Sequence, residues 1–173
     1  MRYPRIALLL ALGGVLWLST VAYGQDLSSL QASQDLAGLQ QSFIADINAL
    51  NSRNLSAAAA SIDDHMVCFG VFSPFPIEGK EKYRQAVQEY FDNYENAVIT
   101  LIDPDYKAMG ATGVAWGNFR LATRRKGGAQ EYADGRYMHT YTRANGKWHA
   151  ISMHYSLLEP LVKVSASSSQ ATH

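Results

Sequence analysis

At 173 residues, with 47% hydrophobic and 17% charged side chains, the chain has material for one domain with its own core, and wholesale disorder is excluded. Fifteen Lys and Arg balance fifteen Asp and Glu, so the formal net charge is +0. That balance leaves no electrostatic footprint for nucleic acid or for an anionic membrane surface.

The N-terminus reads as an export signal over residues 1–24. Arg2 and Arg5 supply a positive start, Ile6 to Leu18 is almost unbroken apolar chain, and Ala22-Tyr23-Gly24 offers small residues where a signal peptidase cuts. The rival reading is a retained anchor, because Ile6 to Ala22 reaches the minimum of about 17 residues for a spanning helix. No basic cluster follows to stop transfer, which favours cleavage and a periplasmic or secreted protein whose only membrane association is its signal. Cys68 is the only cysteine, so an intrachain disulfide is impossible; between Val67 and Phe69 it reads as a small core residue.

Residues 25–34, rich in Ser and Gln, are expected to form a flexible linker, and the domain proper to run over 35–160. Leu36, Leu39, Phe43, Ile47 and Leu50 recur at helical spacing behind Asp35 as a candidate N-cap. Asn54 can cap a short second helix through Ala57 to Ile62. Met66 to Phe72 reads as a strand, and Ser73-Pro74-Phe75-Pro76 forbids regular structure. A third helix is expected from Lys80 to about Asn93, with Tyr83, Val87, Tyr90 and Phe91 on its apolar side. Four strand-like segments follow, at Ala97 to Lys107, Gly113 to Arg124, Gln130 to Arg143 and Lys147 to Ser156, the last two joined by a tight Asn145-Gly146 turn. The tail, 161–173, is Ser/Ala-rich and expected to be disordered. Helices followed by long antiparallel strands indicate an α+β fold.

This order of elements, with Ile77-Glu78-Gly79 before the third helix, Gly146-Lys147-Trp148 and His154-Tyr155-Ser156, resembles the nuclear transport factor 2-like superfamily. Within it the chain is similar to the SnoaL-like group and to the association (hub) domain of calcium/calmodulin-dependent protein kinase II. The resemblance covers roughly Leu36 to Pro160. It implies a curved antiparallel sheet wrapped on N-terminal helices as a cone with an internal pocket, and a homodimer or higher homo-oligomer formed through the outer face of the sheet. Asp103-Pro104-Asp105 to Leu121 runs in register with the hub's third strand and turn, where Arg120 falls on a hub arginine.

If Arg120 points into the cone, strand alternation brings Trp116 and Asn118 with it. The resemblance puts His139, with Tyr137 and Tyr141, on the inward face of the next strand, and His149, Ile151, Met153 and Tyr155 on that of the last; Tyr83 stands where the hub carries a histidine. His154, of opposite parity, is expected on the far side. Phe119, Leu121, Trp148 and Ala150 would then form the outer interface. Arg120 offers a guanidinium fork for a carboxylate, or an ion pair with Asp103 or Glu131. His139 could serve as general acid or base, or simply be hydrogen-bonded between strands.

His139, His149 and His154 divide between faces, so no metal site is expected, and no cofactor motif is present. A ketosteroid-type isomerase needs an aspartate base beside Tyr and a protonated Asp. Asp46, Asp63 and Asp64 fall outside the inward strand face, leaving that dyad incomplete. The first expectation is therefore an exported, self-associating binder of a small anionic or polar-aromatic molecule, without catalysis. The alternatives are a SnoaL-like isomerase, hydratase or cyclase using His139, and an oligomeric assembly module.

Overall fold

The computed structural model describes residues 10–71, 73–158 and 162–163, with side chains over 27–71 and 73–158. Its elements are α1 (Leu10–Asn51), α2 (Leu55–Ala58), β1 (Ile62–Phe69), β2 (Ile77–Glu78), α3 (Lys80–Asn93), β3 (Tyr94–Met109), β4 (Thr112–Arg125), β5 (Gln130–Ala144), β6 (Lys147–Leu157) and β7 (Val162–Lys163). The strands form one sheet in the order β2-β1-β6-β5-β4-β3, with β7 on β5. β1 lies parallel to β6, whereas the other pairs are antiparallel. This is the expected α+β architecture, a curved sheet closing over helices.

Helix α1 departs from the expectation at its start. It runs through 25–34, where an irregular linker was expected, and Asp35 lies inside it rather than at an N-cap. No Pro or Gly interrupts residues 25–37, so nothing in the backbone ends the helix there. Residues 27–34 are all exposed, and burial begins at Asp35. From there Leu39, Phe43 and Ile47 sit in the core, while Leu36 stays 39% exposed. The buried stripe thus carries two carboxylates, Asp35 and Asp46. Asp35 pairs with Arg143 of β5, whose guanidinium lies over the Trp148 ring. Gly38 and Gly113 permit this close approach, since a Cβ at Gly113 would come within 2.7 Å of Leu39 and 3.1 Å of Trp148.

Asn54 caps α2 as expected, its Oδ1 accepting from Ala57 N at 3.0 Å. Helix α3 occupies the expected residues and buries Tyr83, Val87 and Phe91. Arg53 closes its C-terminus, donating to the carbonyls of Phe91 and Tyr94. Asn51 closes the sheet edge: its side chain accepts from Ile99 N at 2.8 Å and donates to Ile99 O at 2.9 Å, copying a strand partner for β3. The β3 register shifts between Ile102 and Asp105, where Asp103 takes φ 47°, and such a bulge bends the sheet. The Asn145-Gly146 turn has positive φ at both residues, 51° and 75°, as its sequence requires. The proposed tail contains one ordered element, β7, paired with Glu131 and Tyr132; residues 164–173, like 1–9, lie outside those described.

Candidate functional site

Burial along β4 alternates with Gly113, Ala115, Phe119, Leu121 and Thr123 inward, and Asn118, Arg120 and Arg124 outward. This corrects the expected parity. Trp116, Asn118 and Arg120 lie on the outer face, while Phe119 and Leu121, expected outside, are core. The reason is pairing. Ala115 faces His139 and Arg120 faces Asp134, and residues directly opposite in an antiparallel pair share a face. With His139 inward, an even-numbered position on β4 must point out. Arg120 there makes a bidentate ion pair with Asp134, 2.8 Å at both contacts, with its side chain 58% exposed. It is the ion-pair alternative that holds, with Asp134 rather than Asp103 or Glu131.

On β5 the expected face is found: Tyr137, His139 and Tyr141 all point inward. On β6 the expectation is half right. His139 pairs with Met153, Thr140 with Ser152 and Tyr141 with Ala150, so Ile151 is an extra residue in a bulge. Beyond it the parity inverts, turning Trp148 and Ala150 into the core in place of His149 and Ile151. Met153 and Tyr155 remain inward, and His154 is exposed on the other side as expected.

Between α3, the chain before it and the inner sheet face lies a cavity of about 690 Å³. Tyr83 and Tyr90 of α3, Cys68 of β1, Phe119 and Leu121 of β4 and Tyr155 of β6 line it, with Pro74, Pro76 and Arg125 also on its wall. Of the expected ligand residues, Tyr83 and Tyr155 face this space. Tyr137 and His139 stand in the layer behind it. Tyr155 sits edge-on to His139 at 5.0 Å and to Phe119 at 5.9 Å between ring centroids. Burial raises the hydroxyl pKa of both Tyr83 and Tyr155 and that of the Cys68 thiol, the last to about 11, so these groups stay protonated.

Behind the cavity is a polar chain. Ser61 Oγ donates to Asp46 Oδ1 at 2.5 Å, Tyr141 Oη donates to Asp46 Oδ2 at 2.9 Å, and His139 Nδ1 lies 3.4 Å from Tyr141 Oη. With the tyrosine proton committed to Asp46, Tyr141 can only accept from His139, which places the imidazole proton on Nδ1. Nε2 is left as a lone pair with no hydrogen-bond partner among the described residues. Burial depresses the His139 pKa to about 3 and raises that of Asp46 to about 6, the two donated hydrogen bonds partly offsetting the latter. Asp46 lies on no strand, so strand alternation alone does not place it in the cone. Yet it falls three residues after Phe43 and one before Ile47, on the helix stripe that faces the sheet. The cone interior therefore holds a carboxylate, contrary to the expectation of an incomplete acid–base set.

Among the described residues no group of three His, Cys, Asp or Glu could hold a metal ion. A family model of the SnoaL-like domain matches residues 36–160. A search of curated proteins gives no match. Solved structures share the fold. A protein assigned as an aromatic ring hydroxylase from Novosphingobium aromaticivorans is 19% identical, covers 76% of this chain and 94% of its own, and has a TM-score of 0.68. A protein assigned as a calcium/calmodulin-dependent protein kinase II association domain, from Xanthomonas campestris, is 18% identical over 68% of this chain and 84% of its own, with a TM-score of 0.61. The hexachlorocyclohexane dehydrochlorinase LinA-type3 of Novosphingobium barchaimii is 13% identical over 82% and 93%, at 0.64. At these identities the structures speak for the fold alone. The family match decides membership: the chain belongs to the SnoaL-like domain family, with a nuclear transport factor 2-like cone.

Proposed function

We propose that this protein binds a small, largely apolar ring compound inside its cone, and that binding rather than bond-making is its role. The observation that carries the reading is the 690 Å³ cavity, walled by aromatic rings and lined at Tyr83 and Tyr155 by residues able to orient a polar substituent. Two neighbours in fold are named for ring compounds, an aromatic ring and hexachlorocyclohexane, which agrees with that shape of occupant. The chemistry of His139 argues against catalysis. At a pKa of about 3, protonating it at pH 7 costs on the order of 5 kcal/mol, a poor starting point for a general base. Nor does it line the cavity.

Thermal shift with a panel of bicyclic aromatics tests the reading. Ala86 lines the cavity from α3, and Ala86→Trp would fill it. Compounds that raise the melting temperature of the parent protein are expected to lose that effect in Ala86→Trp. Equal stabilisation of both proteins would remove the cavity as the binding site.

The Asp46–Tyr141–His139 chain favours a second reading, a cofactor-independent lyase or isomerase in which Nε2 accepts a substrate proton and Asp46 balances the imidazolium through Tyr141. Turnover of any ring substrate that survives His139→Gln at full kcat would eliminate it.

Export and self-association complete the proposal. Residues 1–24 would direct export, giving a mature chain that starts at Gln25; N-terminal sequencing of protein recovered from an exporting host checks this. A row across the outer sheet face, Phe69–His154–Met138–Trp116, supports pairing of two copies, because Phe69 and Met138 are 48% and 53% exposed. Met138→Glu should convert a dimer seen by light scattering into a monomer.

A further inference from the structure

Arg125 ends β4 at the cavity wall, and its guanidinium is used differently from the other described arginines. Arg84, Arg120, Arg124 and Arg143 each meet a carboxylate, at Glu81, Asp134, Glu95 and Asp35. Arg53 spends its donors on the carbonyls of Phe91 and Tyr94, and Arg136 donates to Ser156 Oγ. Arg125 instead donates from Nη2 to Tyr94 Oη at 3.3 Å, with its central carbon 5.5 Å from the Tyr94 ring centroid. Among the described residues no carboxylate lies within 4.0 Å of it.

That contact orients the guanidinium without neutralising it; Glu131 acts on it only through its charge, from beyond ion-pair distance. Stacking on Tyr94 and one hydrogen bond leave most of its five N–H donors for a ligand, and a guanidinium matches a planar carboxylate in two parallel hydrogen bonds. Arg125 is also solvent-exposed, so a charged group can reach it without being stripped of water. The same cavity turns aromatic past this point, at Tyr90, Phe119, Tyr83 and Tyr155. Glu89 on the wall and Asp46 in the layer behind set a limit on total negative charge, which favours a monoanion over a phosphate dianion.

Resting on the proposed binding role of the cavity, we infer that the ligand is an aromatic monocarboxylate, carboxylate on Arg125 and ring against the aromatic wall that Tyr90, Phe119 and Tyr155 form. The test compares 2-naphthoate with its neutral isostere 2-naphthamide by isothermal titration calorimetry on the parent protein, Arg125→Gln and Arg120→Gln. The parent and Arg120→Gln should bind the acid about tenfold more tightly than the amide, as one charge-assisted pair provides. Arg125→Gln should bind both alike, with amide affinity unchanged, which also certifies its fold. Amide binding without preference for the acid in the parent overturns the carboxylate assignment and leaves the cavity reading standing. A preference that survives in Arg125→Gln overturns the role of this arginine. Failure of both probes to bind the parent overturns the cavity reading and this inference together.

Discussion

Tyr141 Oη donates a 2.9 Å hydrogen bond to Asp46 Oδ2, tying the C-terminal part of β5 to the last turns of α1 across 95 residues of sequence. Asp46 is an ionisable carboxyl in the core, and this bond, with the one from Ser61, supplies part of its solvation. Asp46 has a folded pKa of about 6 against an ordinary 3.8, so its proton is held more tightly in the folded chain than in the unfolded one. Its stabilising contribution is full below pH 3.8 and is lost as pH rises through 6. Asp46→Asn should therefore gain on the parent as pH rises from 4 to 7, by about 3 kcal/mol at most. Urea midpoints across that range read the difference, and a pH-independent offset would contradict it.

His139 works in the opposite sense. Its folded pKa of about 3 lies below the ordinary 6.5, so its contribution is present above pH 6.5 and is lost as pH falls towards 3. Nuclear magnetic resonance of the histidine rings should show His139 neutral and untitrated between pH 5 and 8. An inflection near 6.5 at this residue would show that water reaches the ring. His139→Phe should soften the acid limb of the stability profile.

Tyr141→Phe removes the hydroxyl between His139 and Asp46 while leaving the ring. Loss of one donor to a buried carboxylate should cost about 1–3 kcal/mol in chemical denaturation and raise the Asp46 pKa further. An unchanged midpoint at pH 7 would mean that the pair contributes nothing net.

Gly135 pairs with Phe119, and a Cβ there would lie 2.4 Å from Phe119 Cζ and 2.7 Å from Ser156 O. Gly135→Ala should destabilise by about 1–3 kcal/mol and push the Phe119 ring towards the cavity, weakening any ligand held there. Melting temperature and probe affinity should fall together.

The pattern of elements was legible because it rests on local chemistry. Asn145-Gly146 demands positive φ, the spacing of Leu39, Phe43 and Ile47 marks one helix face, and Pro74 and Pro76 break the chain before α3. Side-chain direction was legible only in part. Alternation of Asn118, Phe119, Arg120 and Leu121 already reads polar-out and apolar-in, and an inward Arg120 runs against that ordinary pattern. The bulge at Ile151 is a different case. It depends on how β6 pairs with both neighbours, and nothing in Ala150-Ile151-Ser152 announces an unpaired residue. Asp46 was readable, since it shares the apolar stripe of α1, although strand alternation says nothing about a residue on a helix.

Which wall of the sheet a ligand touches is decided by intermolecular nuclear Overhauser effects to bound 2-naphthamide. Binding within the cone predicts cross-peaks to the ring protons of Phe119 and Tyr155. Cross-peaks to Trp116 and Met138 instead would put the ligand on the outer face and contradict the proposed site.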